Sequence, residues 1–552
     1  MNQAPIIDDA FVEEFYKSDI AVRYMIQRFP TIEIDEAQHI VKSIMQGKVH
    51  IRISKKLSET NDNQIDNGEI HLYFLKEMRK ELDDIAKEFI PDPVNKILVY
   101  FLSKDPTDKK IGRTLLADYI ISKYHFKTIF GIKYNELLYY KDGIYQNMGH
   151  QIVQEQIEEI LGEEAINNVV NEVISKIMRK TGIDRSDIDN QNTDLICCNN
   201  GILNWKTMEF INHSPNYIFR SKISVNYKPD AKCDVILKWL KETFNRDDVQ
   251  DIEILINTVQ EAIGYCLYKG HPVKKAIVLD GETDTSKTTF LNMLHEFLGE
   301  KNISGESLQR INKNNFSASN LYHKLANIRD ELSARDINDV DTFKILTGDG
   351  YCSAEIKHGE CFRFKSYAKQ WYACNAIPSV KFEGEDAESY YNRWVILQFI
   401  NRVREEDKDY ELNKKLTSKE ELEGLLIWAI EGLKRLMKQK QYTLKWSAKE
   451  IQMYMERSNS SIASFIQDCL VEGNNNDWLS KEEMFNEFED YCKKNNQKPV
   501  TQQKFGAELP RYANYLVNGK KGNTKGWRFV KTKENSNNEI ETELNVGDFN
   551  HL

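Results

Sequence analysis

The chain has 552 residues, too many for one compact core, so roughly three or four domains are expected. Its 41% hydrophobic and 29% charged residues are those of a globular protein, and a net charge of −10 excludes wholesale coating by nucleic acid, leaving only local contacts. Nine cysteines without any C-x-x-C spacing argue against a zinc ribbon or a disulfide framework, and no run of 18 apolar residues exists to span a membrane.

In chain order, the opening MNQAPIIDDAFVEEFYK is acidic and lacks the basic–apolar order of a signal peptide, so a soluble, intracellular protein is expected. Residues 1–95 read as helix, best seen where Leu72, Leu75, Met78, Leu82, Ile85 and Phe89 recur three or four residues apart. Residues 96–232 mix helices with short strands, including NELLYYKDGIY, a hairpin turning at Asp142-Gly143. Helical spacing returns over 233–272 and ends at Gly270-His271-Pro272. An α/β block covers 273–440, its last helix opening with the capping-box pattern Ser418–Glu421.

The block at 455–533 begins with helices, a second capping box at Ser480–Glu483 among them. It ends in YLVNGKKGNTKGWRFV, two strands about a Gly/Lys-rich loop, which points to a winged-helix unit. From Lys493 to Lys533 eleven Lys or Arg stand against one acid, Glu508, with Tyr512 and Trp527 interleaved; Lys520, Lys521, Lys525 and Arg528 are the candidate DNA contacts. Residues 534–552 hold five acids and no Lys or Arg, the composition of a disordered tail.

The chemistry gathers in the α/β block. KKAIVLD is a short apolar, β-branched run, and TTFLNMLHEFL has helical spacing; between them Gly281, Glu282, Thr283, Asp284, Thr285, Ser286, Lys287 and Thr288 nearly match G-x-x-x-x-G-K-[ST]. A strand–loop–helix junction aims backbone N–H groups and a helix N-terminus at phosphates. Lys287 is placed to reach the β/γ-phosphates and Thr288 to ligate Mg²⁺. Ser286 stands where the pattern has its second glycine, which would let backbone approach phosphate without a Cβ. About 43 residues beyond Lys287, ANIRDEL ends in Asp330 and Glu331, one carboxylate for the Mg²⁺ shell and one to activate water. KQWYACNAIP ends a strand at Asn375, able to orient that water, and Arg393 precedes the apolar run WVILQF, where it is placed to act as a finger from a neighbouring subunit. Tyr351–Ile356 and Cys361–Phe364 read as a hairpin with Lys357 and His358 at its tip, suited to the phosphates of a single strand.

These five elements, GETDTSKT, IRDEL, KILTGD with EIKHGE, YACN and NRWVILQF, resemble in order and spacing the superfamily 3 helicases, and most closely the phage/plasmid and poxvirus primase-helicase group. The stretch from LICCNNGILNW to YKPDAKCD resembles that group's pre-helicase region, and 461–530 its C-terminal domain. The resemblance implies a multidomain α/β protein with an AAA+ P-loop ATPase core, a helical collar over 233–272, an upstream α+β domain and a C-terminal winged helix. It implies ATP and Mg²⁺ as cofactors, a hexameric ring, single-stranded and forked DNA as partners alongside other replication proteins, and no membrane. Residues 1–95 offer too little chain for a primase domain, so unwinding without priming is expected. Two other readings stay open: a nucleotide-gated DNA-binding or scaffold protein whose hydrolysis Ser286 weakens, and a P-loop enzyme acting on small molecules. The persistence of Glu331, Asn375 and Arg393 speaks against the first; the hairpin and the basic C-terminal block speak against the second.

Overall fold

The computed structural model describes residues 93–102, 105–131, 135–189, 192–245, 252–307, 310–311, 314–330, 340–355, 361–375, 377 and 385–533, with 34, 35 and 38. The helix expected over Leu72–Phe89, the catalytic candidate Glu331, the hairpin tip with Lys357 and His358, and the acidic tail lie outside these residues. The chain is a mixed α/β molecule that divides into two compact units. The first takes Met1–Thr128, Leu137–Tyr139 and Asn147–Gly182; the second takes Ile129–Glu136, Tyr140–Gln146 and Ile183–Leu552.

Four helices dominate the described part of the first unit: α1 (Pro93–Leu102), α2 (Pro106–Tyr124), α3 (Gly149–Leu161) and α4 (Asn167–Lys180). Asp105 starts α2 by accepting from the Thr107 N–H at 2.8 Å, with Pro106 in the first helical position where its missing N–H costs nothing. Leu116 and Ile120 of α2, Val153 and Ile157 of α3, and Val173 and Ile177 of α4 are each one turn apart and close a single apolar core.

From Leu195 the second unit carries an antiparallel meander of β1 (Leu195–Cys198), β2 (Gly201–Asn204) and β3 (Phe210–Ile211). Helices α5 (Asp234–Phe244) and α6 (Ile252–Tyr265) lead into a five-stranded sheet. Its strands are β4 (Ala276–Asp280), β5 (Ile303–Ser304), β6 (Ala326–Arg329), β9 (Lys369–Cys374) and β10 (Trp394–Gln398). Between β6 and β9 the antiparallel pair β7 (Tyr351–Glu355) and β8 (Cys361–Lys365) stands apart as its own ribbon. The five strands run parallel in the order β10-β4-β9-β6-β5. Both faces are covered, so β4 and β9 are buried at every position rather than at alternate ones, Asp280, Lys369 and Gln370 included. The polar exceptions are paired: buried Asn327 of β6 donates to Gln370 Oε1 of β9 at 2.9 Å, and Tyr372 donates to the same oxygen at 2.9 Å.

Helix α7 (Lys287–Leu298) and helix α8 (Lys419–Gln439) flank this sheet and share one apolar core with α5, α6 and the β1–β2 meander. Helices α6 and α8 cross closely enough that a Cβ on Gly264 would lie 2.1 Å from the Ala429 carbonyl oxygen. Beside that crossing Glu261, 0% exposed, accepts from Arg435 Nε at 2.7 Å and Thr443 Oγ1 at 2.6 Å, so its charge is buried but compensated. Ser418 caps α8 as the sequence predicts, but Glu421 does not close a box on it. Its carboxylate instead accepts from the N–H groups of Val235 and Ile236, at 3.3 and 2.9 Å, and so caps α5.

Helix α9 (Ala448–Asn459), opened by a Ser447–Glu450 capping box, runs into α10 (Ser461–Cys469), where a separate core begins. That C-terminal body adds β11 (Leu470–Glu472), β12 (Trp478–Ser480), α11 (Lys481–Lys494), α12 (Gln502–Tyr512), β13 (Val517–Lys521), β14 (Thr524–Arg528) and β15 (Val530–Thr532). The Ser480–Glu483 capping box on α11 forms in full. Strands β12, β14 and β13 make an antiparallel sheet, and β11 pairs with β15.

Candidate functional site

The parallel sheet brings distant residues to one edge. Cys374 and Gln398 both pair with Asp280, and Arg329 pairs with Tyr372, so β4, β6, β9 and β10 end near one level. The loop leaving β4 carries Thr283, Asp284, Thr285, Ser286, Lys287 and Thr288 into a cleft of about 450 Å³ that Asp330 and Asn375 also line. Gly281 is obligatory at the turn off the strand, since a Cβ there would lie 2.0 Å from the Phe399 carbonyl oxygen.

The loop is wound tight by two left-handed residues, Asp284 (φ 62°) and Ser286 (φ 69°). The missing glycine therefore matters first for backbone conformation: a serine holds a left-handed geometry that glycine adopts freely. Ser286 is the N-cap of α7, yet its side chain makes no capping bond, leaving the first-turn N–H groups without a side-chain acceptor. Lys287 Nζ turns back over the loop and donates to the carbonyls of Gly281 and Glu282, at 2.5 Å each. Burial lowers its pKa, partly offset by Asp280, Cys374 and Glu282. Thr288, Asp330 and Asn375 are exposed to the cleft.

Arg393 lies elsewhere. It precedes β10, and its carbonyl accepts from the Ala276 N–H at 2.6 Å, which places it at the start of β4, across the sheet from the loop at that strand's end. Its Nη1 donates to Thr347 Oγ1 at 3.0 Å.

The β7–β8 ribbon alternates cleanly. Cys352, Ala354 and Phe364 are buried, whereas Tyr351, Arg363 and Lys365 share the outer face, the two cations lying 5.2 and 5.1 Å from the Tyr351 ring centroid. In the C-terminal body Lys520 pairs across the ladder with Lys525 beside a turn at Gly522 (φ 65°), and Lys520, Lys521, Lys525 and Arg528 are all exposed. Trp527 is not available for base stacking; it is 2% exposed within the core, under Lys481 Nζ at 4.6 Å.

Several residues at the loop were not singled out from sequence. Asp280 is 7% exposed and accepts from the Tyr454 hydroxyl of α9 and, at 3.8 Å, from Cys374 Sγ. Burial raises its pKa, while those two donors and Lys287 pull it down. Val403 N donates to the Asp284 carbonyl at 2.9 Å, and Lys408 lies 3.6 Å from the Asp284 carboxylate. An acid closing an otherwise apolar strand was a signal for Asp280; nothing local marks residues more than a hundred positions downstream.

Three family models match the chain. Residues 117–245 match the model described as D5 N terminal like, 279–393 a family of unknown function (DUF5906), and 457–551 the model described as poxvirus D5 protein-like. The two D5-type models support the phage and poxvirus primase-helicase group that the motifs resemble. Both flanks of the chain thus match D5-type models, and the 281–288 loop, Asp330, Asn375 and Arg393 fall inside the model between them. Among solved structures it is similar to an A-form apo structure of the NrS-1 C-terminal region, at 13% identity and TM-score 0.39, covering 75% of this chain and 98% of that one. A second apo structure of the same region gives 14% identity and TM-score 0.37, covering 76% and 99%. No curated protein matches the chain. Among the described residues no helix is long and apolar enough to cross a membrane.

Proposed function

We propose that this chain is an ATP-dependent DNA helicase acting in replication of a virus, phage or plasmid-type element, built on an AAA+ core with a C-terminal winged helix and working as a hexameric ring. The observation that carries the reading is the cleft where loop residues 283–288 meet Asp330 and Asn375 at the end of a parallel sheet. The sheet order, with the loop strand second from one edge, supports the AAA+ core; three helices followed by an antiparallel hairpin support the winged helix.

The residues present fit a Mg²⁺-bound nucleoside triphosphate. A left-handed loop before an uncapped helix N-terminus is an anion cradle, Lys287 needs only to exchange two carbonyl acceptors for phosphate oxygens, and Thr288 and Asp330 offer oxygens to the cation. Bound ATP supplies the phosphoanhydride whose hydrolysis drives movement. Asn375 orients the attacking water, Glu331 takes its proton, and Arg393, remote from its own loop, enters the cleft of the next subunit. The Lys357-His358 tips hold one DNA strand, and Lys520, Lys521, Lys525 and Arg528 contact duplex at the fork.

A nucleotide-gated scaffold with weak hydrolysis is the second reading, favoured by the left-handed geometry forced on Ser286. ATPase assays with and without single-stranded DNA, on the native chain and Lys287→Ala, test the motor. DNA-stimulated turnover that disappears in the variant is expected; native protein without stimulated turnover overturns it.

A further inference from the structure

The triphosphate end of the cleft is accounted for by the 281–288 loop, Asp330 and Asn375, but the same cleft has another wall. The segment following β10 supplies Val403, Lys408, Asp409, Tyr410 and Leu412 to it. This segment is fastened to the loop: Phe399 N donates to the Asp280 carbonyl at 2.7 Å, and Val403 N to that of Asp284 at 2.9 Å. Lys408 bridges Asp284 at 3.6 Å and Glu405 at 2.6 Å.

Tyr410 sits in this fastened wall with its ring turned outward. It is 82% exposed, by far the most exposed large aromatic or aliphatic side chain among the described residues. Its hydroxyl donates to Glu405 Oε1 at 3.2 Å, and Asp409 beside it accepts from Lys415 at 2.5 Å and from the Glu411 N–H at 3.0 Å. Exposing an aromatic face to water forgoes the stabilisation that burial gives, and a ring held this way beside a phosphate loop presents a ready surface to a flat ligand. A second cleft of about 600 Å³ adjoins the first through Ser286, Val403, Asp409 and Leu412, and α5 lines it with Asp234, Lys238 and Glu242. It offers room and polar groups for a ribose.

We infer that Tyr410 is the stacking platform for the nucleobase of the bound nucleotide, so that the wall after β10 recognises the nucleoside as the 281–288 loop recognises phosphate. The placement rests on the nucleotide reading proposed above. Stacking is tolerant of base identity, because every base has a π-face, so the platform contributes affinity for nucleotide over bare phosphate.

Titration calorimetry of the full chain with ATP and with inorganic tripolyphosphate, both with Mg²⁺, separates the two ends of the ligand. Native protein is expected to bind ATP at least about tenfold more tightly than tripolyphosphate, the worth of one base–aromatic stack. Tyr410→Ala should bring that ratio close to one while leaving tripolyphosphate affinity unchanged, and Tyr410→Trp should keep it. A ratio unchanged in Tyr410→Ala overturns the platform, as does an altered oligomer mass with the ratio intact, which would make Tyr410 a subunit contact. If native protein binds neither ligand, or Lys287→Ala binds tripolyphosphate as native does, the nucleotide reading fails and the platform with it.

Discussion

Tyr454 donates its phenol hydrogen to Asp280, joining helix α9 to the last residue of the strand that feeds the 281–286 loop. The same helix reaches the neighbouring strand end, where Asn459 Nδ2 donates to the Ile377 carbonyl at 2.6 Å, two residues beyond Asn375. Through α10, which follows it directly, α9 is continuous with the C-terminal body.

Removing that hydroxyl leaves a buried carboxylate short of a donor. Tyr454→Phe is expected to lower stability by about 1–3 kcal/mol at neutral pH, read as a fall in urea midpoint at unchanged slope. A midpoint equal to native would mean that water replaces the phenol.

Asp280 also sets a pH dependence. Burial, the largest cause, holds its folded pKa above the ordinary 3.8, so between those two values the folded chain keeps a proton that the unfolded chain has released. Its contribution is full below about pH 3.8 and declines as pH rises through the folded pKa. Asp280→Asn lacks this decline, so the stability of the variant relative to native should increase with pH across that window.

Ser286→Gly tests the loop itself. At φ 69° the exchange relieves roughly 1–2 kcal/mol of backbone strain, part of which the freer unfolded chain takes back. The variant should melt no lower than native and bind ATP at least as tightly. Turnover that rises with it would identify the serine as a brake; unchanged turnover would show that the serine adapts fully.

At Gly281 the opposite holds. Gly281→Ala drives a methyl against the Phe399 carbonyl, costing about 1–3 kcal/mol and displacing the loop start. Calorimetry should record both a lower Tm and loss of ATP binding.

Arg393 calls for mixing rather than simple substitution. If subunits assemble as proposed, Lys287→Ala and Arg393→Ala should each be inactive alone, whereas mixing them should set an intact loop beside an intact arginine and recover part of the turnover. Absence of recovery in rings shown to exchange subunits would argue that Arg393 serves its own chain.

In the basic hairpin, Lys520, Lys521 and Lys525 changed together to Gln should weaken binding to any duplex. The salt slope should fall by about one for each DNA phosphate that the variant no longer neutralises. Trp527→Ala belongs to another class, since removing a core aromatic should lower stability by about 3–5 kcal/mol, seen as a lower Tm.

What could be read from sequence was local. The loop, the acid ending β6, the Asn ending β9 and the C-terminal hairpin each announce themselves within a dozen residues, because strand, turn and helix periodicities are short-range signals. The sequence also sets Arg393 at the head of an apolar strand, and the parallel register explains why that position cannot face its own loop. Nothing local marks Tyr454 or Lys408, whose partners Asp280 and Asp284 stand more than a hundred residues away in the chain. Glu421 fits the capping pattern of its own helix, and the fold lends it to α5. Trp527 is interleaved among lysines in the sequence, and burial gives it to the core. In each case a residue of the right local chemistry was claimed by a neighbour that only the folded chain supplies.

The strand order carries a consequence for biosynthesis. Strand β4 comes first among the five in the chain, yet both of its hydrogen-bonding edges are taken by β9 and β10, the last two to be made. A nascent chain that has produced the 281–286 loop holds an apolar strand with two bare edges until Cys374 is made and one until Gln398 is made, a wait of seconds at roughly 5–20 residues per second. During that interval Gly281 has no Phe399 carbonyl to sit against, and the loop has no wall. A chain that ends short of β10 therefore keeps one edge of β4 unpaired, an apolar strand open to pairing with other chains.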